Sequence, residues 1–170
     1  MLRVDIRDLQ RGSVLTVGEL QPDDPAFQGL DLNLIGPVSV TGQLQATGQG
    51  EYLWRGRFQG AMQSECRRCL VDVRTDLDID VTAAIFSSDP EAADDPDFYP
   101  LLERASHIDI RDVAREELAL AVPARLLLCR EDCAGLCLTC GADLNAGPCG
   151  CTAPAEPVRG SNGSSEASNL

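Results

Sequence analysis

Along the first half of the chain apolar and polar residues alternate with a period of two, the pattern of β-strands with one buried and one wet face. The opening runs, Leu2, Val4 and Ile6 and then Val14, Leu15 and Val17, predict one or two strands on either side of a polar 10–13 stretch. Gln21-Pro22-Asp23-Asp24-Pro25 is a turn signal, and Leu30, Leu32 and Leu34 alternate with Asp31 and Asn33 ahead of Gly36-Pro37. The clearest β territory follows: Val38, Val40 and Leu44; Tyr52, Trp54 and Phe58, interleaved with Arg55 and Arg57; and Val71 to Val81, interleaved with Asp72, Arg74, Asp76, Asp78 and Asp80. Residues 48–50 mark a hairpin between the first two of these runs. Four strands joined by short turns predict an antiparallel meander, rolled into a barrel or folded as a sandwich.

The period then changes. Ile110, Val113, Ala114, Leu118 and Ala121 fall on one side of a helix that Asp109 can cap and Pro123 ends, with Arg111, Arg115 and Glu116 toward water. The predicted class is α+β: an antiparallel β-rich barrel or sandwich with a C-terminal helix and a cysteine-rich zinc-binding segment. Residues 1–86 form the β part, 87–107 an acidic, Pro-rich mobile loop, and 108–151 the helix plus the Cys-rich segment of the same domain. Residues 152–170, dominated by Pro, Ser, Gly, Asn and Glu, predict a disordered tail.

A chain of 170 residues is about one domain and can bury a core without help from a metal. No run approaches the roughly 20 apolar residues that span a bilayer, and Met1-Leu2-Arg3-Val4-Asp5 opens with no apolar leader, so the expectation is a soluble, cytoplasmic protein. The net charge is −13 and all fourteen basic residues are Arg. Nucleic-acid affinity rests on neutralised phosphates, so this balance excludes wholesale wrapping of RNA or DNA.

The candidate chemistry lies in eight cysteines. Cys129, Cys133, Cys137, Cys140, Cys149 and Cys151 are crowded into residues 129–151, and Cys66 and Cys69 form a C-x2-C upstream, where two strands need a chain reversal. Four thiolates at about 2.3 Å make a closed tetrahedral zinc site, and C-x2-C turns bring two sulfurs onto one ion, so eight predict two zinc ions. A disulfide framework would want a secreted chain, and a thioredoxin-like pair at Cys66 and Cys69 would want a helix start. Two such sites, each carrying −2, would lower the net charge from −13 to −17.

Spacing leaves two pairings open. One joins Cys66, Cys69, Cys129 and Cys133, leaving Cys137, Cys140, Cys149 and Cys151 to close over the short 141–148 span. The other joins the two C-x2-C knuckles, Cys66 and Cys69 with Cys137 and Cys140, and puts the C-x3-C with the terminal C-x-C.

Arg55, Arg57, Arg67, Arg68 and Arg74 gather near Trp54 and the Cys66/Cys69 knuckle, an arrangement that can serve as a phosphate-and-stacking patch for RNA. The competing reading is that Arg67 and Arg68 offset the −2 of a four-thiolate centre. His107 is the one histidine and no Ser/His/Asp or Cys/His pattern accompanies it, so no catalytic residue is assigned and no small-molecule substrate is expected.

Three stretches carry a resemblance: Glu65-Cys66-Arg67-Arg68-Cys69-Leu70, Glu116-Glu117-Leu118-Ala119-Leu120-Ala121-Val122-Pro123, and Cys129 to Cys137 continued by Cys140-Gly141-Ala142-Asp143-Leu144-Asn145. In order and spacing they resemble the YceD family of bacterial and plastid large ribosomal RNA subunit accumulation proteins, over about residues 1–151. The resemblance implies a non-enzymatic role in accumulating 23S rRNA, through its processing or through large-subunit assembly, with 23S rRNA or its precursor, or large-subunit ribosomal proteins, as partners. Two other readings stand beside it: an acidic module that holds a basic ribosomal protein or another partner, its Asp-rich strand and the acidic loop 87–100 supplying the potential, and a thiol redox sensor.

Overall fold

The computed structural model describes residues 1–95, 98–102, 104–124 and 128–151. The predicted tail, 152–170, lies outside them. Seven strands and two helices are described: β1 (Arg3–Asp5), α1 (Ile6–Leu9), β2 (Val14–Leu20), β3 (Val38–Gly48), β4 (Glu51–Glu65), β5 (Asp72–Ser87), β6 (Phe98–Pro100), β7 (His107–Asp109) and α2 (Arg111–Ala124). Strands β2 to β5 form the antiparallel meander that alternation predicts. β6 adds to β5 in parallel, while β1 and β7 pair in a sheet of their own. The architecture is α+β; the larger sheet is open, with β2 and β6 at its edges, which corrects the barrel alternative.

One row across the sheet sets its interior. Thr16, Gly42 and Gly56 stand opposite one another on β2, β3 and β4, and the indole of Trp54 lies across both glycines. A Cβ on Gly56 would sit 2.4 Å from Trp54 Cζ2, and one on Gly42 2.7 Å from the same ring. The indole Nε1 donates to Thr16 Oγ1 at 2.8 Å, so a fully buried polar edge is satisfied inside an apolar layer. Phe58, with its ring centroid 5.2 Å from that of Trp54, continues the layer with Val38, Val40, Leu44, Ile79 and Phe86.

Helix α2 closes this layer with the predicted stripe: Ile110 just before it, then Val113, Ala114 and Leu118 are fully buried. Each large aliphatic side chain contributes roughly 1.5–3 kcal/mol on burial. Asp109 Oδ1 accepts from Arg111 N at 3.1 Å, as a cap does. The helix runs on through Pro123 to Ala124, a boundary difference of a few residues. Arg115 faces water as expected, and from there it also donates through Nη1 to the carbonyls of Ala26 and Gln28 at 2.6 and 2.8 Å, tying α2 to the 3-10 turn Pro25–Phe27.

The described residues of the 87–107 region carry more regular structure than its composition predicts. Pro90–Asp94 forms a 3-10 turn, Phe98–Pro100 pairs with Ile85, Phe86 and Ser87, and Tyr99 stacks on Phe86 with centroids 5.1 Å apart. Two adjacent aromatic residues outweigh the acidic run around them. Among the described residues no helix is long and apolar enough to cross a membrane.

Candidate metal centres

The turn between β4 and β5 and the loop beginning at Cys137 are the same structure twice. In the first, Leu70 N donates to Cys66 O at 2.9 Å and Cys66 N to Val71 O at 2.8 Å; in the second, Gly141 N donates to Cys137 O and Cys137 N to Ala142 O, each at 2.8 Å. Both turns put the residue after the second cysteine in the left-handed region, Leu70 at φ 62° and Gly141 at φ 73°. A glycine adopts this freely, while a leucine costs roughly 1 kcal/mol. Each turn thus presents two sulfurs on one side, as C-x2-C spacing predicts.

The thiols gather in two quartets: Cys66, Cys69, Cys129 and Cys133, and Cys137, Cys140, Cys149 and Cys151, the sulfurs of each within 4.8 Å of one another. This grouping is the first of the two pairings that spacing leaves open. None of the eight is in a disulfide. In the first quartet Cys66 Sγ lies 3.8 Å from Cys133 Sγ, and Cys69 Sγ 3.6 Å from Cys129 Sγ. A regular tetrahedron with zinc–sulfur bonds of about 2.3 Å has edges of about 3.8 Å, so the cage fits one such ion. It is too small for an iron–sulfur cluster, whose own sulfides push the thiolates apart.

The electrostatics of the thiols also suit a cation. Burial pushes the Cys66 thiol up, but the backbone N–H groups of Arg68, Cys129 and Cys69 aim at its sulfur and bring it down to about 6. The N–H groups of Cys140 and Thr139 bring Cys137, the equivalent residue of the second turn, to about 6 as well. Their partners move the other way: local desolvation of its sulfur, with the Cys133, Cys69 and Cys66 sulfurs beside it, pushes Cys129 up to about 12 although the residue itself is exposed, and the Cys140 sulfur pushes Cys151 up to about 11. Each quartet accepts one thiolate and resists the next. A divalent cation among the sulfurs removes that conflict and favours deprotonation of all four.

The surroundings of the two quartets differ. Cys66, Cys69 and Cys133 are buried and pack with Val73, Leu128 and Leu136 in a small cluster apart from the main core. Arg68 Nη1 donates to Cys133 O at 2.9 Å, and Leu136 N to Arg68 O at 3.0 Å. Gly135, at φ 78°, is needed here because a Cβ would come within 2.9 Å of Arg68 O. In the second quartet Cys140 is exposed and the other three are half-buried.

Asn145, quoted above only as part of a motif, connects them. It belongs to the 141–148 span of the second quartet, yet its Nδ2 donates to Cys133 Sγ of the first at 3.6 Å. Its Oδ1 accepts from Ala134 N at 2.8 Å and from Arg130 Nη2 at 2.6 Å.

The proposed RNA patch does not assemble. Trp54 is fully buried, so no base can stack on it; its place in phase with Phe58 along β4 put it inside. Arg57 forms a bidentate pair with Asp78 and reaches Asp80 at 3.5 Å, and Arg74 pairs with Asp76 at 3.5 Å. Arg74 stands opposite Gln63, six residues along β4 from Arg57, which is roughly 20 Å of strand. Arg55 is exposed on the same strand, away from the knuckle. Arg67 and Arg68 line a groove of about 640 Å³ with Leu136, Leu138, Cys137 and Cys149.

All eight cysteines fall within the span matched by a family model described as Large ribosomal RNA subunit accumulation protein YceD, residues 54–159. No curated protein and no solved structure matches the chain. The family match covers more than half of the sequence, including both knuckles, α2 and the Asn145 bridge, and on that basis the chain belongs to the YceD family of large ribosomal RNA subunit accumulation proteins.

Proposed function

We propose that the protein is a non-enzymatic factor in the accumulation of 23S rRNA, acting in its processing or in assembly of the large ribosomal subunit, in the cytoplasm. The observation that carries this is the family match over residues 54–159, whose description names large-subunit ribosomal RNA. The metal chemistry supports the non-catalytic part. Four cysteine sulfurs fill a tetrahedral zinc ion and leave no position for water or substrate. Zinc at Cys66, Cys69, Cys129 and Cys133, and at Cys137, Cys140, Cys149 and Cys151, would order residues 129–151 and tie them to the β4–β5 turn. Contacts with 23S rRNA, its precursor or a large-subunit ribosomal protein are then local, since the net charge of −13 gives no general basic surface.

A specific observation favours a protein partner as the second reading. Asp72, Asp76 and Asp80 are exposed along β5, a potential that suits a basic ribosomal protein. Depletion of the protein should leave free large subunits scarce relative to small ones on sucrose gradients; normal ratios would overturn the assembly role. Cross-linking in the same cells, to RNA or to protein, separates the two readings. Metal analysis of protein purified in reducing buffer should find two zinc ions per chain.

A further inference from the structure

We infer that the second quartet, Cys137, Cys140, Cys149 and Cys151, is an oxidation site: peroxide converts it to two disulfides and frees its ion, while the first quartet keeps its own. The inference rests on the proposal that both quartets hold zinc.

Access is the first argument. Cys140 is exposed and its three partners are half-buried, and the 640 Å³ groove beside Arg67 and Arg68 is lined by Cys137, Cys149 and Cys151. Every cysteine of this quartet is therefore at least partly exposed to solvent. In the first quartet Cys66, Cys69 and Cys133 are 0, 7 and 1% exposed, and only Cys129 meets solvent.

Support is the second argument. The first quartet is held by the β4–β5 hairpin, whose strands pair from Glu51 to Glu65, and by Arg68 and Asn145 on Cys133. The second has one isolated bridge, Leu136 to Asp143, the knuckle bonds of residues 135–146 and the bonds of Leu136 to Arg68 and of Asn145 to Arg130, Ala134 and Cys133, but no strand pair like the β4–β5 hairpin. Sulfurs within 4.8 Å on a loop without paired strands need only small movements to bond.

The chemistry balances with peroxide as the oxidant. A thiolate attacks one peroxide oxygen, the O–O bond breaks, hydroxide leaves and a sulfenic acid remains. A neighbouring thiolate attacks that sulfur, the S–O bond breaks, and a second hydroxide leaves as the disulfide forms. Each pair of thiolates gives two electrons to one peroxide as its disulfide forms. Two peroxides use up all four thiolates, and the ion is left without ligands.

Peroxide should be titrated into the zinc-loaded, full-length protein with a chromophoric chelator present to read free zinc. One equivalent of zinc per chain should appear first, with peptide mapping placing both disulfides within residues 137–151, and a phosphine reductant plus zinc should restore the starting state. The double variant Cys149→Ser/Cys151→Ser should carry one zinc and release none over the same exposure. Simultaneous release of both ions, no release, or first disulfides at Cys66, Cys69, Cys129 or Cys133 would overturn the inference while leaving the zinc proposal intact. Fewer than two zinc ions per chain before peroxide is added would overturn both.

Discussion

Alanine at Gly56 tests the packing that removes Trp54 from the surface. Its Cβ would lie 2.4 Å from Trp54 Cζ2 and 2.5 Å from Thr41 O, where ordinary contacts begin near 3.4 Å. The carbonyl belongs to β3 and can yield only by parting the β3–β4 ladder locally, and the contact with the ring is relieved only if the indole moves. Overpacking of this kind costs about 1–3 kcal/mol. An indole pushed from its seat also breaks the Nε1 bond to Thr16, and an unpaired buried donor adds about 1–3 kcal/mol. The two together give roughly 3–4 kcal/mol, a large share of the 5–15 kcal/mol typical of a folded domain. Trp54 is the sole tryptophan, so its emission reports urea unfolding directly. With an m-value of about 2 kcal/mol/M, the midpoint should fall by about 1.5–2 M. Gly36→Ala is the control: nothing lies within 4 Å of the added methyl and the backbone is not left-handed there, so its midpoint should stay level or rise slightly. A Gly56→Ala midpoint within about 0.3 M of the parent would refute the account of the glycine seat.

Three further outcomes follow from the same structure. Chelation should leave the main sheet and the Trp54 emission native while residues 129–151 become sensitive to protease, because the first quartet belongs to a cluster separate from the main core; a red-shifted Trp54 accompanying zinc loss would contradict this. Asn145→Ala should weaken zinc binding by about 10–100-fold at the first quartet, although Asn145 lies in the loop of the second, and competition with a chelator of known affinity will show it. Burial and the Glu116 carboxylate hold the Tyr99 phenol above its ordinary 10, so its contribution to stability is present below pH 10 and is lost as pH rises from there toward the folded value. In a Tyr52→Phe background Glu116→Gln should bring the Tyr99 absorbance titration back toward 10, and an unmoved curve would remove Glu116 from the explanation.

The meander was legible because β3, β4 and β5 have one wet face, and the α2 stripe because Ile110, Val113, Ala114 and Leu118 keep helical spacing. Whether the sheet closes depends on its edges, and β6 is three residues inside an acidic, Pro-rich stretch that dilutes any periodic signal. The burial of Trp54 could have been read from the same alternation that buries Phe58. Five nearby arginines drew the reading toward RNA, but alternation had already put Arg55 and Arg57 on the opposite face from the indole. Two knuckles were legible from C-x2-C spacing. Their assignment to quartets was legible only as the preferred of two pairings, from the short 141–148 return, because it also depends on where the chain returns after α2, a matter of tertiary packing. The reach of Asn145 from one quartet to the other left no trace in spacing at all.

The first quartet joins sulfurs far apart in the order of synthesis. Cys69 leaves the ribosome 60 residues before Cys129, an interval of about 3–12 s at 5–20 residues per second. In that time β5, β6, β7 and α2 are made, while the knuckle at Cys66 and Cys69 offers an ion only half of its ligands. Tight capture waits until the segment beyond α2 has emerged and been carried back to the hairpin. A metal ion bound at this centre would thus mark a chain whose helix has been delivered to its sheet, and a nascent chain stopped before Cys129 would leave its knuckle open to other metals and to other thiols.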